Sequence, residues 1–217
     1  MKIVSEISGG ADSMLSTLVA REKYPDAEIH AFMVDYGQIT FEKEVVKVIQ
    51  FLRQEGIKNF KTVTIVNLFS GGTLEGEKVA DTEGIAKVYT PLRNLVILSM
   101  AASYAESIGA DRIITGSKTL SVDSNPYSFK DSTLPFYKMF EAMLSYTAYS
   151  PIKVEMILGE GRQNKMTKQE VYQELFRRGY NWNSFWNCFN AGPEECGKCN
   201  NCIEKDKIKD ILSKDFY

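Results

Sequence analysis

Ser8-Gly9-Gly10-Ala11-Asp12-Ser13 is the stretch that decides the fold. It follows a short apolar run at residues 3–7, which predicts a buried strand, and it precedes apolar residues at helical spacing over 14–19. Glycines let the backbone approach an anion closely, and a helix start presents unpaired N–H groups at the positive end of its dipole. The stretch therefore predicts a phosphate-binding loop. An ordinary serine-capped turn is the alternative.

Asp12 adds a carboxylate to this loop. A carboxylate beside a polyphosphate is repulsive unless a cation lies between them, so Asp12 predicts a magnesium-bound nucleotide. No Gly-Lys-Ser/Thr follows the glycines, which excludes a Walker loop. The stretch instead resembles the PP-loop of the N-type ATP pyrophosphatases, which split ATP between its α and β phosphates and adenylate a substrate.

Further strands alternate with helical segments along the chain. Residues 29–34, 62–66 and 113–115 have the apolar, β-branched character of buried strands. This order predicts an α/β, Rossmann-like parallel sheet flanked by helices, with ligands bound at the carboxyl ends of the strands. Residues 155–164 are predicted to be an exposed excursion.

Two helix starts carry a cation, which opposes the helix dipole. Arg93 lies in Pro91-Leu92-Arg93-Asn94, at the start of a helix that ends at Gly109. Lys168 lies in Thr167-Lys168-Gln169-Glu170, a capping box. Both positions favour an anionic ligand, although surface cations are the simpler reading.

Composition limits the possible functions. The 217 residues are predicted to form one domain over 1–217, and the net charge of −2 gives no indication of direct nucleic-acid binding. No leader peptide and no apolar run of membrane-spanning length is evident, so a cytoplasmic protein is expected. The single histidine, His30, makes a histidine-based triad improbable.

All four cysteines fall close together, in a C-x7-C-x2-C-x2-C pattern: Cys188, Cys196, Cys199 and Cys202. Four thiolates fill a tetrahedral zinc shell, which predicts a structural Zn²⁺ site in a C-terminal subregion of about 180–217. An iron–sulfur cluster and unpaired or disulfide-bonded thiols are the alternatives.

Taken together, these motifs resemble the 7-cyano-7-deazaguanine synthases, the QueC family. The matching stretches are the loop, Asp35-Tyr36-Gly37-Gln38, the Pro91–Asn94 segment, residues 101–106, the Thr167–Glu170 segment and the four cysteines. The resemblance implies a fold of the adenine nucleotide alpha hydrolase (HUP) type and ATP-dependent conversion of 7-carboxy-7-deazaguanine and ammonia to the nitrile, through an adenylate and an amide. It also implies a homodimer.

The resemblance assigns roles to individual residues. It implies catalytic roles for Asp12, Ser13, Arg93 and Lys168. It implies contacts of ATP and magnesium with Ser8, Gly9, Gly10, Ala11, Asp12, Ser13, Asp35 and Gly116. It implies deazaguanine contacts for Tyr36, Gln38, Arg93, Asn94 and Asp131.

The loop around Asp131 departs from the family pattern. Phe129-Lys130-Asp131-Ser132 stands where the family usually has Tyr-Pro-Asp-Cys. A variant that stops at the amide or adenylates another carboxylate is therefore an alternative. Other branches of the ATP pyrophosphatases and a zinc-stabilised nucleic-acid-binding module are further alternatives, and the acidic balance disfavours the module.

Overall fold

Five parallel strands form one sheet in the order β3-β2-β1-β4-β5. The computed structural model describes residues 1–66, 89–118, 129–159 and 166–214. The strands are β1 Lys2–Glu6, β2 Glu28–Asp35, β3 Asn59–Thr64, β4 Arg112–Ile114 and β5 Lys153–Glu155. Strand order reverses at β1, because the chain adds β2 and β3 on one side and β4 and β5 on the other. Ligands of open parallel sheets bind at such a reversal, and the Ser8–Ser13 loop follows β1 directly.

Helices cover both faces of the sheet. They are α1 Ala11–Lys23, α2 Phe41–Gln54, α3 Arg93–Ile108, α4 Leu134–Thr147, α5 Lys168–Arg177 and α6 Asn200–Lys214, with short 3-10 turns at Lys130–Ser132 and Trp182–Ser184. Apolar residues of α1, α2, α5 and α6 share one core, and those of α3 and α4 share another. The α/β prediction is thus confirmed, and α3 ends at Gly109 in the left-handed conformation (φ 66°), as its sequence indicated.

The C-terminal subregion packs onto the main domain. Phe185 is 2% exposed and lies in the core formed by α1, α2 and α5, as do Ile208 and Leu212 of α6. Trp182 packs against Tyr172 and Phe176 of α5. The cysteine-bearing segment is therefore held against the helices on one face of the sheet.

The prediction of an exposed excursion over residues 155–164 is wrong at its start. Lys153–Glu155 is the edge strand β5, and Met156 and Leu158 are buried. A glutamate at the end of a short apolar run is buried here because other parts of the chain provide its partners. In the fold, Lys23, Tyr24 and Arg112 all donate hydrogen bonds to Glu155. Residues 160–165 lie outside the described part of the chain.

No helix in the described ranges combines the length and apolar character that a membrane crossing requires.

Candidate active site

A cavity of about 400 Å³ opens at the carboxyl ends of β1 and β2, beside the Ser8–Ser13 loop. It brings together ten of the residues predicted to bind nucleotide or substrate: Ser8, Gly10, Asp12, Ser13, Tyr36, Gln38, Arg93, Asn94, Gly116 and Lys168. Gly9, Ala11, Asp35 and Asp131, which were also predicted, do not line it. Residues from five separate stretches of the chain thus converge on one space.

The loop has the geometry of an anion cradle. Gly10 is the N-cap of α1 and has no side chain to cap it, so the first N–H groups of the helix face outward. The Ser13 hydroxyl donates to the Gly10 carbonyl oxygen at 3.0 Å and accepts from the Ser8 N–H at 3.1 Å, which braces the turn. Gly9 adopts φ +74°, and a Cβ there would lie 2.7 Å from the Glu44 carbonyl oxygen. Gly9 therefore lets the loop pass close to the backbone of α2, and it does not line the cavity.

Asp12 lies between two lysines. Its Oδ1 accepts from Lys118 Nζ at 2.9 Å, and its Oδ2 accepts from Lys168 Nζ at 2.6 Å. Burial alone would raise the pKa of Asp12, but the two ammonium groups overcome burial and hold that pKa well below its usual range. Burial lowers the pKa of Lys118 despite the attraction of Asp12. The arrangement places two cations at the loop, and the sequence analysis identified Lys168 but missed Lys118.

Arg93 projects from the first position of α3 toward Tyr36. Its Nη1 donates to the Tyr36 hydroxyl at 3.2 Å, and its guanidinium lies 5.3 Å from the centre of the Tyr36 ring. The preceding residue, Leu92, has φ 53°. In the described part of the chain it is the one residue other than glycine whose φ is positive. Strained backbone of this kind is frequent at functional sites. Here it lies at the N-cap of α3, directly before Arg93.

Asp131 was predicted to contact the deazaguanine base, and in the structure its carboxylate contacts the start of α3. The N-cap of α3 is Leu92, whose side chain cannot cap, and Asp131 Oδ2 accepts from the Asn94 N–H at 3.2 Å instead. Burial raises the pKa of Asp131, although the Asn94 N–H and Arg93 act against that rise. Asp131 thus caps the helix that carries Arg93 and remains outside the cavity lining.

Gln38 and Asp35 brace the turn after β2. Gln38 Oε1 accepts from the Tyr36 N–H, and its Nε2 donates to Val34 and to Glu44. Asp35 Oδ1 accepts from the Gly37 N–H at 3.0 Å. The amide that was predicted to contact substrate therefore already has its hydrogen-bond partners within the protein.

Glu6 is a cavity residue that the sequence reading overlooked. It is the last residue of β1 and lines the cavity, and its Oε1 is buried with no hydrogen-bond partner in the described ranges. Burial raises the pKa of Glu6 to about 8. The available signal was a carboxylate two residues before the loop, inside a strand that is otherwise buried.

The opposite wall comes from the segment that leads to the cysteines. Trp186, Asn187, Cys188 and Phe189 line the cavity, and the Trp186 N–H donates to the Gly9 carbonyl oxygen at 3.1 Å. Trp186 Nε1 and Asn187 Nδ2 are buried and lack partners among the described residues. These two donors belong to residues that line the cavity, and no sequence motif identified them.

The four cysteine sulfurs lie within 4.8 Å of one another, as a single bound metal ion requires. Cys199 Sγ is 3.9 Å from Cys188 Sγ and 3.5 Å from Cys202 Sγ, close to the roughly 3.8 Å edge of a tetrahedron with zinc–sulfur bonds of about 2.3 Å. The N–H groups of Lys198 and Cys199 donate to Cys196 Sγ and lower the pKa of that thiol to about 6. The donor set fits a metal ion.

These features define a class of protein. A parallel sheet with an uncapped, glycine-rich helix start at its strand-order reversal, flanked by lysines, is the architecture of the PP-loop, HUP-type nucleotide-binding proteins. A solved 4-thiouridine synthetase–RNA complex with bound ATP shares this fold, with a TM-score of 0.53 and 17% identity over 96% of this chain and 50% of that chain.

Within this class the chain belongs to the QueC family, whose model, described as queuosine biosynthesis protein QueC, matches residues 2–208. A 7-cyano-7-deazaguanine synthase from Prochlorococcus marinus (strain MIT 9515) is 31% identical, over 90% of this chain and 88% of that protein. One from Chlorobaculum parvum (strain DSM 263 / NCIMB 8327) is 28% identical, over 94% and 90%. The matches identify the chain as an enzyme and support a synthase activity of this kind.

Proposed function

We propose that this enzyme converts 7-carboxy-7-deazaguanine and ammonia to 7-cyano-7-deazaguanine at the expense of ATP. The observation that carries the proposal is the convergence of the Ser8–Ser13 loop, Lys168 and Arg93 on one cavity in a chain of the QueC family, with Lys118 paired to Asp12 of that loop. The carboxylate is adenylated, ammonia displaces AMP to give an amide, and a second activation of the amide oxygen allows loss of that oxygen and forms the nitrile.

The loop side of the cavity is the proposed ATP site. Ser8, Gly10 and the first N–H groups of α1 bind the β and γ phosphates, and Lys118 and Lys168 neutralise the charge that builds up on departing pyrophosphate. Oxygen ligands are those that Mg²⁺ prefers, and the Asp12 carboxylate at the loop suits the ion. When bound, Mg²⁺ supplies further charge neutralisation on the phosphates.

A carboxylate that attacks phosphorus is already nucleophilic, so this step needs alignment more than a general base. Arg93 is suited to align it, because its guanidinium is fixed against Tyr36 and faces the cavity from a helix start. Bidentate pairing of arginine with the substrate carboxylate, or with the α-phosphate, would bring the reacting groups together.

The cysteine site is proposed to hold structural zinc. Sulfurs all within 4.8 Å of one another leave room for one ion, and not for a cluster in which each thiolate binds a different iron. Because Cys188 and its neighbours line the cavity, zinc would stabilise one wall of the active site without taking part in the chemistry.

Two further properties are proposed from the family resemblance. The enzyme acts as a cytoplasmic homodimer, and it has no direct contact with nucleic acid. Light scattering of the purified protein tests the first point, and a filter-binding assay with tRNA tests the second.

The deciding experiment is mass spectrometry of a reaction that contains protein, ATP, magnesium, ammonium and 7-carboxy-7-deazaguanine. We expect substrate-dependent AMP together with the nitrile. The amide as sole product would indicate an enzyme that stops at the amide. The observation that favours this second candidate is the position of Asp131 outside the cavity. Absence of substrate-dependent AMP would refute the assignment.

Asp12→Asn gives the matched loss-of-function test. The variant should lose turnover and keep its full zinc content, because the Asp12 carboxylate pairs with Lys118 and Lys168 and is not one of the four metal-binding side chains. Loss of zinc and of cooperative unfolding would instead make Asp12 a structural residue.

A further inference from the structure

The cavity contains three carboxyl side chains, and two of them already have partners. Asp12 accepts from Lys118 and Lys168. Glu44 accepts from the Thr40 hydroxyl at 2.6 Å and from Gln38 Nε2 at 3.2 Å. Glu6 alone among these three has a buried oxygen for which the described residues provide no donor. A buried acceptor without a donor costs stability. The presence of such an oxygen at a cavity wall therefore indicates that a bound ligand donates a hydrogen bond to it.

Glu6 faces the side of the sheet away from the phosphate loop helix. Its register partner on β2 is Phe32, and both point to the layer of α3 and α4, as Val4 does. Helix α1, which begins at the loop, packs on the other face. Glu6 is thus placed beyond the phosphate-binding end of the cavity, on the side from which Arg93 enters.

The surroundings of Glu6 suit a flat heterocycle. Phe32 and Val34 of β2 and Ile97 of α3 provide apolar walls along the cavity. Tyr137 of α4 lines the same region, where burial raises its pKa and the charge that Glu6 carries when ionised raises it further.

We infer that Glu6 is a specificity-determining residue that accepts hydrogen bonds from the N1–H and 2-amino group of the deazaguanine base. Burial holds a proton on Glu6 in the ligand-free protein, and two donors placed against the group favour its ionised form, so binding of the base releases that proton to solvent. The resulting carboxylate presents two acceptors side by side, and this edge of a guanine-like ring presents two donors at matching separation. The inference rests on the proposed function. It replaces Asp131, which caps α3, as the carboxyl group that recognises the base.

The test is calorimetric titration of the zinc-loaded protein with 7-carboxy-7-deazaguanine and with the analogue that lacks the 2-amino group. We expect the wild type to bind the analogue about 10- to 100-fold more weakly, the range for a hydrogen bond to a charged group. This comparison needs no variant. Equal affinity of the wild type for the two bases would overturn the inference.

Glu6→Gln then assigns the discrimination to one residue. An amide offers one acceptor and one donor, so the variant should lose about 10- to 100-fold in affinity for the parent base and should no longer distinguish the analogue. Its affinity for a non-hydrolysable ATP analogue should be unchanged. Glu42→Gln, the same change at an exposed position of α2, is the matched control and should behave as wild type.

The outcomes separate the two proposals. A wild-type protein that binds neither base contradicts the proposed function itself. A wild type that binds and discriminates, with Glu6→Gln doing the same, overturns only the role of Glu6. Loss of both base and ATP-analogue affinity in Glu6→Gln also overturns it, because the change would then act on the shared cavity. A higher ammonium KM with unchanged base affinity would place Glu6 at the ammonia step and overturn base recognition.

Discussion

The ionisation of Glu6 makes the stability of the ligand-free protein depend on pH. Burial raises the pKa of this carboxyl group from its ordinary value of 4.5 to about 8. Between these values the folded protein retains a proton that the unfolded chain has released, so stability falls as pH rises through this window. Tyr137, the titratable neighbour on α4, stays protonated throughout because burial raises its pKa as well.

Glu6→Gln removes this contribution while preserving the shape of the side chain. Each pKa unit corresponds to about 1.36 kcal/mol, so a shift from 4.5 to about 8 gives an upper limit of about 5 kcal/mol. The variant should therefore gain stability relative to wild type as pH rises, by up to about 1.4 kcal/mol per pH unit within the window. Groups that titrate in both proteins cancel in the difference.

Urea unfolding of both proteins at several pH values between about 5 and 9 measures this difference. Glu42→Gln, with its exposed carboxyl, should follow the wild type at every pH. A stability difference between wild type and Glu6→Gln that is independent of pH would refute the reasoning, since it would mean that the Glu6 carboxyl ionises at its ordinary pKa.

Three further predictions follow from single contacts. Gly9→Ala should lose about 1–3 kcal/mol in urea unfolding, because its φ is +74° and its Cβ would meet the backbone of α2. Gly10→Ala has negative φ and meets only the Ser8 hydroxyl, so it should lose less, through its N-cap position alone; equal stability of the two variants would contradict this. Lys118→Met should weaken the binding of ATP about 10-fold or more, as measured by calorimetry, whereas the control Lys61→Met, at an exposed position, should leave it unchanged. Wild-type affinity of Lys118→Met for ATP would show that Lys118 does not contact the phosphates. Cys202→Ser should lose bound zinc on metal analysis and unfold at lower urea, and full zinc content would disprove tetrahedral ligation.

The loop, the capping box and the cysteine set were predictable because each is a local pattern. The capping box formed as expected, with the Thr167 hydroxyl accepting from the Glu170 N–H and the Glu170 carboxylate accepting from the Thr167 N–H. Hydrogen bonds of this kind join residues within one turn, so spacing along the chain is enough to identify them. Ten of the residues predicted to bind nucleotide or substrate line one cavity, and their binding roles stay predictions. Those that follow strands meet there because parallel strands place their carboxyl ends along one edge.

Contacts between distant residues were beyond the sequence. Lys118 and Lys168 are 106 and 156 residues from Asp12, and Asp131 caps a helix 37 residues away. The edge strand at Lys153–Glu155 was missed because its carboxylate is compensated by partners from β4 and from the end of α1. Patterning records which residues are polar but not which polar groups will meet.

The sequence by itself therefore determined the glycine-rich turn at Ser8–Ser13, the parallel sheet that displays it and the cluster of four cysteines, because backbone preference and short spacing settle each of them. The tertiary structure decided which carboxyl group serves which partner. Strand register and helix packing turn Asp12 toward two lysines, use Asp131 as a helix cap and leave Glu6 facing the cavity without a donor, and those outcomes depend on elements that are far apart in the chain.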